Sequence, residues 1–94
     1  MKTFAKQTIK SIDVYPNPVE NKMLNISFMN QAIGRYAIQL TNTSGQLVYN
    51  SNIEIDNINV TRSIKLDNEV ATGNYLLTVI TSDGKTTRQQ IIIR

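Results

Sequence analysis

The chain has 94 residues, enough for one small domain with a single thin hydrophobic core. Its composition, 40% hydrophobic and 18% charged, is unlike that of disordered proteins, which combine few apolar residues with high net charge. Because the sequence contains no Cys and no His, it offers no disulfide, no thiolate or imidazole metal site and no catalysis based on either side chain. The net charge of +3 comes from scattered basic residues, whereas nucleic-acid-binding proteins usually carry a basic stripe, so we expect no nucleic-acid partner.

The first ten residues precede the patterned part of the chain. Basic residues interrupt this segment repeatedly, so it matches neither the apolar region of a secretory signal peptide nor a membrane-spanning helix. We interpret residues 1–10 as a flexible leader or linker remnant and residues 11–94 as one domain. No direct insertion into a membrane is expected.

From residue 11 onward, apolar and polar residues alternate, which is typical of half-buried antiparallel strands. The first alternating segment contains Ile12 and Val14 and is expected to stop at Pro16-Asn17-Pro18, because proline lacks a backbone N–H and is excluded from sheet interiors. The apolar residues of the next two segments are Leu24, Ile26 and Phe28, and then Tyr36, Ile38 and Leu40.

Turn-forming residues separate the remaining segments. Residues 42–45 predict a turn whose hairpin partner is residues 46–50, and Ile53 and Ile55 either extend that partner or begin a separate strand. Residues 62–66 alternate again. Residues 73–81 are apolar on both faces, which predicts a central strand. Gly84 after Asp83 predicts a tight hairpin turn, and residues 86–93 form the closing strand.

Seven short strands separated by turns are typical of a β-sandwich. We therefore predict an all-β antiparallel sandwich without helices. The predicted core residues are Leu24, Ile26, Ile38, Leu40, Leu47, Leu77 and Val79. In the terminal isoleucine run, alternation buries either Ile91 and Ile93 or Ile92 and leaves at least one isoleucine facing outward. The alternative is that all three belong to the core of the last strand.

The sequence offers no convincing catalytic or metal-binding group. Its carboxylates are interpreted as solvated charges of loops and edges, with a weak calcium site at Asp67-Asn68-Glu69 as the remaining alternative. The four glycines stand alone at strand boundaries and form no phosphate-binding loop. We expect a protein that is not an enzyme and that needs neither a cofactor nor a metal.

Pro16-Asn17-Pro18 is the most informative local feature. On structural grounds it predicts a rigid exit from an edge strand, since each proline restricts the residue before it to extended conformations. Three further short motifs follow it along the chain. They are Ser44-Gly45-Gln46, Gly73-Asn74-Tyr75 and the terminal Ile91-Ile92-Ile93-Arg94.

This series of motifs, in this order and at these spacings, resembles the C-terminal sorting domain of type IX secretion system cargo. The resemblance covers residues 12–94. It implies a seven-stranded Ig-like sandwich that directs an upstream passenger, by way of the periplasm, across the outer membrane of a Gram-negative bacterium. The passenger would then be secreted or displayed on the cell surface. The implied partners are the outer-membrane translocon, its shuttle protein and a sortase-type peptidase that cuts in or upstream of residues 1–10.

The resemblance also implies which residues form the sorting signal. They are Tyr15, Pro16, Asn17, Pro18, Gly45, Gly73, Tyr75, Ile91, Ile92, Ile93 and Arg94. The terminal segment departs from many family members, which carry Lys there, because Gln89, Gln90 and Arg94 flank the isoleucines in this chain. Since sheet edges accept added strands, the isoleucine run is the expected handle for a partner.

A second class of function fits the same fold, namely an Ig-like adhesion or carbohydrate-binding module. Sugar-binding surfaces usually present a flat row of exposed aromatic rings. This chain has no Trp, and its Tyr residues lie in strand-like segments. The sorting-domain interpretation is therefore preferred.

Overall fold

The computed structural model describes residues 10–94, so the predicted leader lies, except for Lys10, outside the described residues. The described part of the chain contains seven strands and no helix, as predicted. The strands are β1 (Ser11–Glu20), β2 (Met23–Met29), β3 (Gly34–Asn42), β4 (Leu47–Ile55), β5 (Val60–Lys65), β6 (Gly73–Ile80) and β7 (Thr86–Ile93). Within residues 10–94, no helix is long and apolar enough to cross a membrane.

The strands form two layers that share β1. Their hydrogen-bonded order is β4-β3-β6-β7-β1-β2-β5. The first half of β1 pairs antiparallel with β2, which also pairs with β5, whereas the second half of β1 meets β7 in parallel at Val19 and Ile93. One layer therefore holds β1, β2 and β5, and the other holds β4, β3, β6, β7 and the end of β1. This arrangement is an Ig-like sandwich, antiparallel except for the short contact between β1 and β7.

The prediction that Pro16-Asn17-Pro18 ends the first strand is wrong. β1 continues to Glu20, although its pairing with β2 is interrupted between Tyr15 and Glu20. Because the prolines lie where β1 has left β2, their missing N–H groups remove no bond from that ladder. The extended segment carries β1 from one layer to the other.

The core lies between the layers, and six of the seven predicted core residues are buried in it. They are Leu24, Ile26, Ile38, Leu40, Leu77 and Val79. The prediction for Leu47 is wrong, since 51% of this side chain is exposed. A register irregularity places Tyr49 opposite Leu40 but Leu47 opposite Thr41, so Val48 is one extra residue and Leu47 turns to the outer face.

β6 is a central strand, as predicted. It lies between β3 and β7 and buries Tyr75, Leu77, Thr78 and Val79. β4 contains both Ile53 and Ile55, so these residues extend the hairpin partner of β3.

Both predicted hairpin turns form. In the β3–β4 turn, Asn42 Oδ1 accepts hydrogen bonds from the backbone N–H groups of Ser44 and Gln46, at 3.0 and 2.9 Å. Gly45 follows with a φ of 83°, which glycine adopts without the steric penalty of a Cβ. In the β6–β7 turn, the Thr81 hydroxyl donates a hydrogen bond to the Asp83 carboxylate, which lowers the pKa of Asp83.

Candidate functional site

Three of the four sequence motifs meet around the end of β7, and the fourth lies beside them. The terminal residues of β7 pair with the first residues of β6, Ile91 with Tyr75 and Ile93 with Gly73. On its other side β7 meets the second half of β1, just after Pro16-Asn17-Pro18. The β3–β4 turn that contains Gly45 lies at this same end, because Asn42 pairs with Tyr75. We call this end of the sandwich, formed by residues 15–19, 42–45, 73–76 and 90–94, the terminal surface.

Asn17 ties β1 to β7 through its side chain. Its Nδ2 donates a hydrogen bond to the carbonyl of Gln90 at 3.2 Å, and its Oδ1 accepts one from the N–H of Ile92 at 3.1 Å. A carboxamide has the same donor and acceptor as a peptide group, so Asn17 extends the pairing of the two strands before the backbones meet. The N–H of Arg94 then donates to the carbonyl of Val19 at 2.9 Å.

Burial divides the candidate residues into two groups. Tyr75, Ile91 and Ile93 are buried, and the Tyr75 hydroxyl donates a hydrogen bond to the carbonyl of Ala71 at 2.6 Å, as in the tyrosine corner of Ig-like folds. The exposed members of the set are Tyr15, Pro16, Asn17, Gly45, Ile92 and Arg94, while Pro18 and Gly73 are half-buried. The exposed group offers a partner most of the accessible surface, and the half-buried Pro18 and Gly73 offer less.

The predicted alternation of the isoleucine run is confirmed. Ile91 and Ile93 are buried in the core, whereas 45% of Ile92 is exposed. The end of β7 is not a free edge, however, because Val19 of β1 lies opposite Ile93 and the Asn17 side chain bonds to the backbone of Gln90 and Ile92. A partner can therefore contact the Ile92 side chain, but it cannot add a strand along the isoleucine run unless β1 is displaced.

A groove of about 530 Å³ crosses the terminal surface. Its lining residues are Asn17, Asn42, Thr43, Asn74, Tyr75, Leu76, Gln90, Ile91 and Ile92. Carboxamides, one threonine hydroxyl and aliphatic side chains dominate this lining, and no charged residue belongs to it. Such a lining suits an uncharged polypeptide segment, because carboxamides pair with peptide groups and the aliphatic side chains offer apolar contact.

Arg94 provides the one positive charge at the end of β7. Its guanidinium lies 3.7 Å from the carboxylate of Glu20, and both side chains are largely exposed. An ion pair between exposed side chains contributes little to stability, so a partner can contact Arg94 without a large loss from breaking its pair with Glu20.

Comparison with known proteins identifies the family. Residues 13–94 match the secretion system C-terminal sorting domain. The chain belongs to this family. Sorting domains of type IX secretion serve export across the outer membrane to the cell surface or beyond, and they act as signals, not as catalysts.

Solved structures share the fold of this sorting domain. A structure of PorZ, described as an essential surface component of the type-IX secretion system of Porphyromonas gingivalis, matches 88% of the chain at 21% identity with a TM-score of 0.61. The sorting domain spans only 11% of that PorZ chain. CopC from Methylosinus trichosporium OB3b matches 90% of the chain at 15% identity with a TM-score of 0.59, over 91% of its own length. At these identities the likeness shows the fold alone, and the comparison with curated proteins finds no match.

The structure adds residues to the terminal surface that sequence reasoning did not select. Asn74, Leu76 and Gln90 line the groove beside Ile92. Period two was available as a signal, since Gln90 and Ile92 must share a face, as must Asn74 and Leu76. What the sequence lacked was the pairing of Leu76 with Gln90 and of Asn74 with Ile92, which brings the two strands together.

The calcium alternative receives no support from the acidic residues. Asp67 and Glu69 are exposed loop residues. Among residues 10–94, no group of three or more acidic side chains could hold a metal ion.

Proposed function

We propose that the sorting domain directs an upstream passenger through the type IX outer-membrane translocon and that the machinery recognises the terminal surface. In this proposal the domain is a non-catalytic signal. A shuttle protein receives the exported chain, and a sortase-type peptidase removes the domain. The observation that carries the proposal is the convergence of four distant motifs on one end of the sandwich.

The two groups of candidate residues have different roles in this proposal. Tyr75, Ile91 and Ile93 hold the end of β7 in the core, and Asn17 fixes its position against β1. These residues mainly shape the signal: Tyr75 and Ile91 present only small parts of their surfaces to the groove, whereas Asn17 is exposed in it. Contact is assigned to Ile92, Arg94 and the groove beside them.

The position of the N-terminus favours this assignment. Ser11 pairs with Met29, whereas Glu20 at the other end of β1 pairs with Met23. Met29 and Met23 lie six residue steps apart on β2, which cover roughly 20 Å. A passenger joined before Ser11 therefore leaves the terminal surface uncovered. We propose that residues 1–10 link the two parts and that the sortase cuts in or upstream of this linker.

The adhesion or carbohydrate-binding alternative is less well supported. Tyr75 and Tyr36 are buried, and each hydroxyl already donates a hydrogen bond to a backbone carbonyl, at 2.6 Å for Tyr75 and 2.5 Å for Tyr36. The remaining tyrosines of the described chain, Tyr15 and Tyr49, lie on strands of different layers. The tyrosines of the described residues therefore form no row of exposed aromatic rings.

The routing experiment uses a reporter fused between an N-terminal signal peptide and this domain. The fusion is expressed in otherwise identical cells with and without a type IX apparatus. We expect the reporter outside the outer membrane only in cells with the apparatus and in the periplasm of the others. Equal surface display in both strains, or binding to cell-surface glycans by the purified domain, would favour the adhesion module instead.

A further inference from the structure

A second surface lies at the other side of the sandwich, along β4. β4 and β5 are the outermost strands of the hydrogen-bonded order. β5 is short and carries Arg62 and Lys65, and charged side chains commonly protect an edge from further pairing. In β4, residues 47–53 contain neither a charge nor a proline. Apart from the extra residue at Val48, this stretch lacks the usual protection of an edge strand.

The pairing of β4 with β3 shows which of its main-chain groups face away from the sheet. In an antiparallel ladder, the residues of one strand point their N–H and C=O groups alternately toward and away from the neighbour. The carbonyl of Glu54 accepts a hydrogen bond from Nη2 of Arg62 on β5 at 3.0 Å, so Glu54 points away from β3. By alternation Asn50 and Asn52 do the same. In the described residues β4 pairs only with β3, so these main-chain groups have no strand partner.

A groove of about 570 Å³ runs beside this edge. It lies between residues 48–50 of β4 and residues 65–68, and the buried side chain of Leu66 is part of its lining. A neighbouring groove of about 360 Å³ shares Val48 and Asp67, adds Glu69 and Val70, and reaches Asn42 and Tyr75 of the terminal surface. An extended segment that paired with β4 would lie along these grooves.

The charges of the grooves select the partner. Asp67 and Glu69 face them, and neither carboxylate forms an ion pair within the described chain. Lys65 is the one basic residue of the two linings. A second copy of this domain fits poorly, because β4 itself contains no Lys or Arg to place beside the carboxylates.

We propose that the β4 edge is a docking site for an extended segment of a partner protein that carries a Lys or Arg. The segment pairs its main chain with Asn50 and Asn52, in the manner of β-strand addition, and places its basic side chain beside Asp67 and Glu69. The site adjoins the terminal surface at Asn42 and Tyr75, but it does not depend on the sorting proposal.

The test uses two blocked heptapeptides, Thr-Val-Thr-Lys-Val-Thr-Val and the same sequence with Glu in place of Lys, added to the ¹⁵N-labelled domain. We expect the Lys peptide to shift the amide resonances of Asn50 and Asn52 saturably. It should bind about fivefold more tightly than the Glu peptide, a difference the size of one exposed ion pair. Asn52→Pro removes an outward N–H and should reduce binding strongly, whereas Asn52→Ala keeps the main chain and should bind normally.

A double variant isolates the charge. Asp67→Asn with Glu69→Gln changes two exposed side chains and should abolish the preference for the Lys peptide while the domain still melts normally. The proposal is overturned if neither peptide shifts Asn50 and Asn52, or if the double variant keeps the preference. It is also overturned if sedimentation shows a dimer that Asn52→Pro dissociates, because the occupant would then be a second copy.

Discussion

At the scale of single residues, Asn17 connects β1, the strand that both layers share, to the end of β7. The Asn17 carboxamide both donates to the carbonyl of Gln90 and accepts from the N–H of Ile92, so a smaller side chain cannot form both hydrogen bonds. Asn74 offers a matched comparison, because it is exposed in the same groove and its side chain makes no hydrogen bond within the described residues.

Replacing Asn17 with Ala should lower the stability of the domain by about 1 kcal/mol, the net contribution of a typical hydrogen bond. In a domain of this size that corresponds to a fall in Tm of roughly 4–8 °C. Hydrogen exchange of the Ile92 amide should also become faster. Thermal melts and exchange spectra provide the measurement, with Asn74→Ala as the control. Equal behaviour of the two variants would mean that Asn17 does not hold β7.

Two leucines test the assignment of the core. Leu77 is buried in β6, whereas Leu47 faces solvent beyond the irregularity in β4. Leu77→Ala should cost about 2–5 kcal/mol because it leaves a cavity. Leu47→Ala should change stability by no more than about 0.5 kcal/mol. Urea unfolding of both variants measures the change in the free energy of unfolding. A large loss of stability for Leu47→Ala would place that residue in the core.

At the scale of the elements, the pattern of the sequence was sufficient for most strands and for both hairpins. Alternation identifies half-buried strands directly, and Gly45 and Gly84 mark turns that require positive φ. The same pattern could not reveal the extra residue at Val48, because a bulge reverses the face of every residue beyond it without changing the composition. It also could not show that β1 crosses between layers, since a bond between the Asn17 side chain and β7 joins residues far apart in sequence.

The end of β7 combines stability with the proposed signal. Chain termini usually fray, but Ile93 is buried and lies between Gly73 and Val19 of the flanking strands. Deleting residues 92–94 should therefore lower the Tm by more than about 4 °C, since at least 1 kcal/mol of burial is lost. Arg94→Ala should leave the Tm nearly unchanged. A deletion variant that melts like the intact domain would show that the end of β7 adds nothing to the fold.

At the scale of the whole molecule, Ser11 and the terminal surface lie at opposite ends of β1. In the proposed function, the passenger is attached at the Ser11 end and the machinery binds at the other. Exposed residues at the Ser11 end of the sandwich supply controls for tests of recognition at the terminal surface. Ile33 is the best of them, because it is an exposed isoleucine next to β3 that lies at the opposite end from Ile92.

The candidate site could be predicted only in part from the sequence. The motifs were visible because Pro, Gly and Tyr are conspicuous in a chain of alternating residues. Alternation places Ile91 and Ile93 on the opposite face from Ile92, but which of the two faces is buried depends on strand pairing, which the sequence does not show.

The secretion of two isoleucine variants tests the central claim most directly. Ile92 and Ile33 are 45% and 60% exposed, so Ile92→Asp and Ile33→Asp place the same charge on opposite ends of the sandwich. In cells with a type IX apparatus, Ile92→Asp should reduce the secreted fraction of a fused reporter about tenfold, as expected when an interface loses an apolar anchor. Ile33→Asp should be secreted normally, and melts should show that both variants are folded. Normal secretion of folded Ile92→Asp, or an equal loss for Ile33→Asp, would contradict recognition through the terminal surface.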